Sequence, residues 1–138
     1  TALAELCSEN FADYNAERMA RLIKKRMSSG EIFVIEHKNN IAGFIMFSKK
    51  NKTIDHIAVS PDYRRIGIAS RLMVTAMAQF EVGEELSAVT FRQDHPMSDG
   101  VSRMYKKFGF DDEKNIVVRG EPLVKRTAVV PEKAIITE

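Results

Sequence analysis

Apolar positions along the chain recur with two different periods, and the switches between them outline the elements. In the first thirty residues Phe11, Tyr14, Met19, Leu22, Ile23 and Met27 fall mostly on one face at helical spacing. Lys24, Lys25 and Arg26 lie on the others, so this stretch predicts a helix with a solvated basic face, and Ser28-Ser29-Gly30 stops it. Residues 31–37, with Ile32, Phe33, Val34 and Ile35, predict a strand; Lys38-Asn39-Asn40 predicts a turn and residues 41–48 the second arm of a hairpin. A polar turn at 49–52 leads into a third strand at 53–59. A helix from Ile68 carries Ile68, Leu72, Met73, Ala76, Met77 and Phe80 at steps of three and four, ending at Val82-Gly83-Glu84-Glu85. Residues 86–92 are rich in β-branched and aromatic side chains and predict a strand. A loop at 93–100, a short helix at 101–108 and two strands at 115–118 and 123–130 complete the pattern. A strand-helix-strand unit with a parallel crossover, flanked by hairpins, predicts a mixed α/β sheet. No repeat, low-complexity tract or linker interrupts it, so residues 1–138 read as one domain.

Composition narrows the function by exclusion. A net charge of +2 is too small for general nucleic-acid binding, so any attraction for phosphate must come from a local cluster. Cys7 is the only cysteine, which rules out an intrachain disulfide and Cys-rich zinc sites. No apolar run approaches the ~20 residues of a membrane helix and no signal peptide is visible, so the cytoplasm is the expected compartment.

The stretch 54–72 carries the most chemistry. It reads as an apolar strand, a Pro61-Asp62 turn, a basic loop with one glycine and an amphipathic helix. Gly67, Ala69 and Ser70 are small residues where the loop becomes helix. Backbone N–H groups there have no intrahelical partner and the positive end of the helix dipole faces outward. Arg64 and Arg65 add charge on the approach, so the expected ligand is phosphorylated. A P-loop would need Gly-x-x-x-x-Gly-Lys-Ser/Thr, which is missing.

Arg64-x-x-Gly67-x-Ala69, directly after Ile57-Ala58-Val59-Ser60-Pro61, resembles the acetyl-CoA pyrophosphate loop of the GNAT superfamily of N-acetyltransferases. Downstream, Met104-Tyr105-Lys106-Lys107-Phe108-Gly109-Phe110 resembles the family's Leu-Tyr-x-x-x-Gly-Phe signature. The resemblance spans roughly residues 30–120 and implies a GNAT-like fold: a mixed, mostly antiparallel twisted sheet with flanking helices and the parallel crossover at the CoA site. The family's first strand has no counterpart ahead of the first helix, and the chain begins at Thr1.

The function implied is transfer of an acetyl group from acetyl-CoA to a primary amine, with no metal. The alternative is a non-catalytic acyl-CoA-binding or regulatory domain on the same fold. By resemblance, Arg64, Arg65, Ile66, Gly67, Ile68, Ala69 and Ser70 would hold the pyrophosphate. The backbone of Ile57, Ala58 and Val59 would pair with the pantetheine arm where that strand splays from its neighbour. Ser98 lies near a further CoA contact. Tyr105 would protonate the departing thiolate, since a phenol with a reference pKa near ~10 is protonated at neutral pH. Gly109 reads as a helix C-cap with Phe110 packing back. For the base, many members place a glutamate where this chain has Thr53. Asp55 and His56 follow, and strand alternation predicts that they point to opposite faces; an ordered water is the third candidate. The acceptor is expected to be a small-molecule, peptide or protein amine, with no nucleic acid or membrane partner, and a homodimer is compatible with this reading.

Overall fold

A computed structural model describes residues 16–64, 66–91 and 98–132. The elements are α1 (Ala16–Ser29), β1 (Ile32–His37), β2 (Asn40–Ser48), β3 (Thr53–Val59), a single 3-10 turn (Pro61–Tyr63), α2 (Ile68–Met77), β4 (Glu85–Phe91), α3 (Ser98–Lys107), β5 (Asp112–Val118) and β6 (Glu121–Val129). The predicted elements are present among the described residues: α1 is described from Ala16 onward, α2 ends at Met77, well before the expected stop at Val82-Gly83, and the other ends shift by up to three residues. Phe11 and Tyr14 lie outside the described residues.

Six strands form one sheet in the order β1-β2-β3-β4-β6-β5. Every neighbouring pair is antiparallel except β3 and β4, which run parallel across the α2 crossover. The mixed α/β sheet expected from the sequence is therefore the one observed. Lys38 and Asn39, at φ 51 and 65, make the two-residue β1–β2 turn, a conformation that asparagine tolerates better than most residues.

The two faces of the sheet bury separate apolar clusters. Leu72, Met73, Ala76 and Met77 of α2, Tyr105 of α3 and Phe108 just after it pack with Ile45, Phe47, Ile54, Leu86 and Ala128. On the other face Met19 and Ile23 of α1 cover Phe44, Met46 and Ala58. Burying side chains of this size contributes roughly 1.5–3 kcal/mol each before chain entropy is set against it. The α1 stripe is corrected in one respect: Met27 is 62% exposed and Arg26, expected in solvent, is 6% exposed.

Candidate active site

The strand β3 changes character along its length. On one edge it is paired to β2 from Thr53 to Val59. On the other, among the described residues, it pairs with β4 only at Thr53↔Ser87 and Ile54↔Ala88. Beyond Ile54 the two parallel strands part. The β4-facing edge of Ile57, Ala58 and Val59 thus borders a split, as expected for a strand edge that can pair with an amide-rich ligand.

The split begins at a β-bulge. Phe47 of β2 faces Ile54, and the next residue back, Met46, faces His56, so Asp55 is an extra residue with no counterpart. This overturns the expectation that Asp55 and His56 point to opposite faces. His56 shares the face of its partner Met46, which lies under α1. Asp55 is also drawn toward α1, because its Oδ2 accepts from Arg26 Nε at 2.9 Å. Its Oδ1 accepts from Thr53 Oγ1 at 2.7 Å. The two candidate bases are therefore neighbours on one side of the strand.

Their environments differ. Burial pushes the His56 imidazole down to about 4; nearby Arg26 adds to the effect and Asp55 opposes it. His56 is neutral at pH 7 and only weakly basic. Arg26 completes its pairing with Glu31, Nη1 to Oε1 at 3.5 Å. Hydrogen bonds from the Ser29 hydroxyl and the Lys49 N–H, with the neighbouring cations, hold Glu31 below the usual carboxylate range despite partial burial.

After β3 the chain turns through Pro61–Tyr63 into the basic loop. Tyr63 stacks edge-on with His37 at 5.5 Å, and its hydroxyl lies 3.3 Å from His37 Nδ1, tying the turn to the end of β1. Arg64 Nε donates to the Val59 carbonyl at 3.1 Å, so this arginine also braces the end of β3. Ile66 is 66% exposed, while Ile68 is buried and anchors the helix start. Arg65 lies outside the described residues.

Gly67 caps α2 with φ 86 and ψ 6, a left-handed conformation that costs a side-chain-bearing residue roughly 1 kcal/mol or more. Among the described residues no side chain caps the helix there, and a Cβ on Gly67 would meet nothing within 4 Å. The loop is thus closed by backbone and open in front, which suits an anion on the first-turn N–H groups of Ile68, Ala69 and Ser70. Behind it, Gly43 of β2 allows close approach. A Cβ there would lie 2.9 Å from the Ala58 carbonyl oxygen, 3.2 Å from Ile68 and 3.3 Å from Leu72.

One cation at this helix start was not singled out from the sequence. Lys107, at the end of α3, donates from Nζ to Ser70 Oγ at 3.2 Å. The motif quoted it only as a variable position, and its role depends on α3 packing beside α2.

Tyr105 is 3% exposed and sits edge-to-face with Phe110 at 5.2 Å. Burial raises its phenol above the usual value, with Arg126 opposing and Asp55 reinforcing, so it stays protonated through the neutral range. The hydroxyl is not left in water, as a tyrosine on a short amphipathic helix commonly is. The N–H groups of Phe108 and Phe110 both donate to the Tyr105 carbonyl at 3.1 Å, and Gly109 follows the helix as its cap. Ser98 begins α3, and its side chain lies outside the described set; so does His95. Beneath α3, buried Arg126 donates from Nε to Thr90 Oγ1 at 2.8 Å and pairs with Glu113. Among the described residues no three His, Cys, Asp or Glu side chains are grouped to hold a metal ion.

The split β3 edge, the glycine-capped loop and the tyrosine of α3 lie within a stretch that matches a family model. Residues 28–112, more than half of the chain, match an acetyltransferase (GNAT) domain. The chain belongs to the GNAT acetyltransferase family. No curated protein sequence matches it. Among solved structures, a GNAT-family acetyltransferase from Bacillus cereus superposes with a TM-score of 0.66 at 20% identity, covering 83% of this chain and 80% of that one. Arabidopsis thaliana Naa50, in complex with the bisubstrate analogue CoA-Ac-MVNAL, gives 0.68 at 18% identity, covering 91% and 88%. A spermidine N-acetyltransferase chimera from Vibrio cholerae SpeG and hSSAT gives 0.60 at 14% identity, covering 92% and 89%. At these identities the likeness is one of fold. As a GNAT protein the chain is an acyltransferase that uses acyl-CoA. Among the described residues no helix is long and apolar enough to cross a membrane.

Proposed function

We propose that this GNAT domain transfers an acetyl group from acetyl-CoA directly to a primary amine. The observation that carries the reading is the parting of β3 from β4 after Ile54, opening beside the backbone-closed anion loop at Gly67. Acetyl-CoA supplies the thioester. The N–H groups at the start of α2, with Arg64, Arg65 and Lys107, would hold its pyrophosphate, and Ser98 stands near a further contact. The open edge of Ile57, Ala58 and Val59 would pair with the pantetheine amides and polarise the thioester carbonyl.

Tyr105 is the proposed general acid, because a buried, protonated phenol can deliver a proton to the departing thiolate. The amine must lose a proton. Asp55 and His56 on the α1 side of β3 are the proposed acceptors, directly or through an ordered water. A peptide amine and a polyamine are both reasonable acceptors, since Naa50 is solved with the bisubstrate analogue CoA-Ac-MVNAL and the chimera is a spermidine N-acetyltransferase.

The test is thiol release from acetyl-CoA across a panel of peptides, polyamines and small amines. Release that depends on the amine, with acetylated product by mass, supports the proposal. CoA binding without amine-dependent release would mark the chain as a non-catalytic acyl-CoA-binding domain.

A further inference from the structure

We propose that Arg26 is a positioning residue for acetyl transfer: brought in from α1, its guanidinium pins the bulged Asp55 and so sets where β3 leaves β4. The inference rests on reading the β3–β4 split as the acyl-CoA slot.

Arg26 lies among exposed neighbours, yet its own side chain is 8% exposed. A guanidinium stays charged when buried, so it must be fully paired to be tolerated. Its pairing is directional. Nε meets Asp55 Oδ2 at 2.9 Å and Nη1 faces Glu31 Oε1 at 3.5 Å. Asp55 is held from its other side by Thr53 Oγ1 at 2.7 Å.

Each partner is itself anchored to a different element. Glu31 takes the Ser29 hydroxyl and the Lys49 N–H, both at 2.6 Å, and its own N–H donates to the Arg26 carbonyl at 2.8 Å. The network therefore joins the end of α1, the start of β1, the β2–β3 turn and the bulge. None of its other members lies in the anion loop or on the open edge at 57–59.

The place where Asp55 is held is what gives the pin a functional consequence. Parallel pairing to β4 ends at Ile54, and the unmatched residue of the bulge is the next one. A bulge bends its strand and increases local twist. With its extra residue fixed toward α1, β3 turns away from β4 at this point and keeps its β4-facing edge open. Arg26 thus acts on the cofactor through Asp55, without touching it.

The experiment titrates CoA into the intact chain by calorimetry and follows each variant by thermal melting. Arg26→Gln removes the pin, Arg26→Lys keeps a charge without the fork, and Thr53→Val removes one restraint on Asp55. Arg21→Gln, on exposed α1 surface facing Glu17, is the control. Misplacing a binding edge by about an ångström costs one to two orders of magnitude, so Arg26→Gln should weaken CoA binding by about tenfold or more. Arg26→Lys and Thr53→Val should weaken it by about threefold, with Arg21→Gln close to wild type. Acetyl-CoA KM should rise in parallel, a change that simple loss of folded protein does not produce. If Arg26→Gln fails to fold, the Lys and Thr53→Val variants decide. Wild-type CoA binding that persists unchanged in the folded Arg26 and Thr53 variants overturns the inference alone. Wild-type protein that takes up no CoA overturns the slot reading and this inference with it.

Discussion

The helix start at Gly67 and the corner at Asp55 belong to one strand–loop–helix unit, yet they are specified in different ways. The helix start is mostly local: one left-handed glycine and backbone N–H groups with Arg64 just before them, joined from a distance only by Lys107 at the end of α3. The corner is assembled from a distance. Its shape depends on a guanidinium 29 residues upstream and on the register that β2 imposes on β3. The part proposed to grip phosphate is written mainly in consecutive residues, while the part proposed to handle the proton is set by tertiary packing. Substitutions in the first should abolish binding outright; substitutions in the second should alter rate, pH dependence or geometry by degrees.

The sharpest break in that comparison is Gly67→Glu, which forces a side chain into left-handed backbone and places negative charge in front of the anion site. CoA affinity should fall by about 100-fold or more in calorimetry, with the melting temperature lowered by only a few degrees. Tyr105→Phe comes next. Turnover should drop by about 10²-fold while CoA affinity stays near wild type. A loss of stability with unchanged turnover would reduce Tyr105 to packing.

Gly43→Ala probes the support behind the loop. The added methyl meets the Ala58 carbonyl oxygen at 2.9 Å, so β2, β3 or the start of α2 must shift. The expected cost is about 1–3 kcal/mol in denaturant unfolding, with weakened CoA binding.

The smallest effect concerns His56. Its folded pKa is lowered to about 4 from 6.5, so between those values the unfolded chain binds a proton that the native protein does not. Stability is therefore full above pH 6.5 and declines as pH falls toward 4. Wild type should lose roughly 1–2 kcal/mol more than His56→Gln between pH 7 and pH 5. Because the histidine is already neutral, no rising limb near 6.5 should appear in the rate. A limb there that disappears in His56→Ala would contradict the buried, neutral imidazole.

What was legible in the sequence follows the same division. The α2 stripe of Ile68, Leu72, Met73, Ala76 and Met77 is buried as its spacing indicates, and β3 begins and ends at the predicted residues. Gly67 could be placed because a helix start leaves a local signature. Periodicity could not show that Arg26, rather than Met27, completes the buried face of α1 with Met19 and Ile23. Nor could alternation place Asp55 and His56, since a bulge is fixed by the partner strand and a one-residue slip reverses every face beyond it. The depth of Tyr105 depends on how Phe110 folds back after Gly109, which no single motif position encodes. Lys107 was in plain view, but its reach to Ser70 depends on two helices lying side by side.

The measurement that bears most directly on the account is a calorimetric titration of CoA into the wild-type chain and into Gly67→Glu at two salt concentrations. A single saturable site in the wild type, weaker at high salt and lost in the variant, is the predicted result, because affinity is assigned to phosphates on the start of α2. A wild type that binds no CoA at low salt, or binds it equally well with glutamate at position 67, would contradict the assignment of the site.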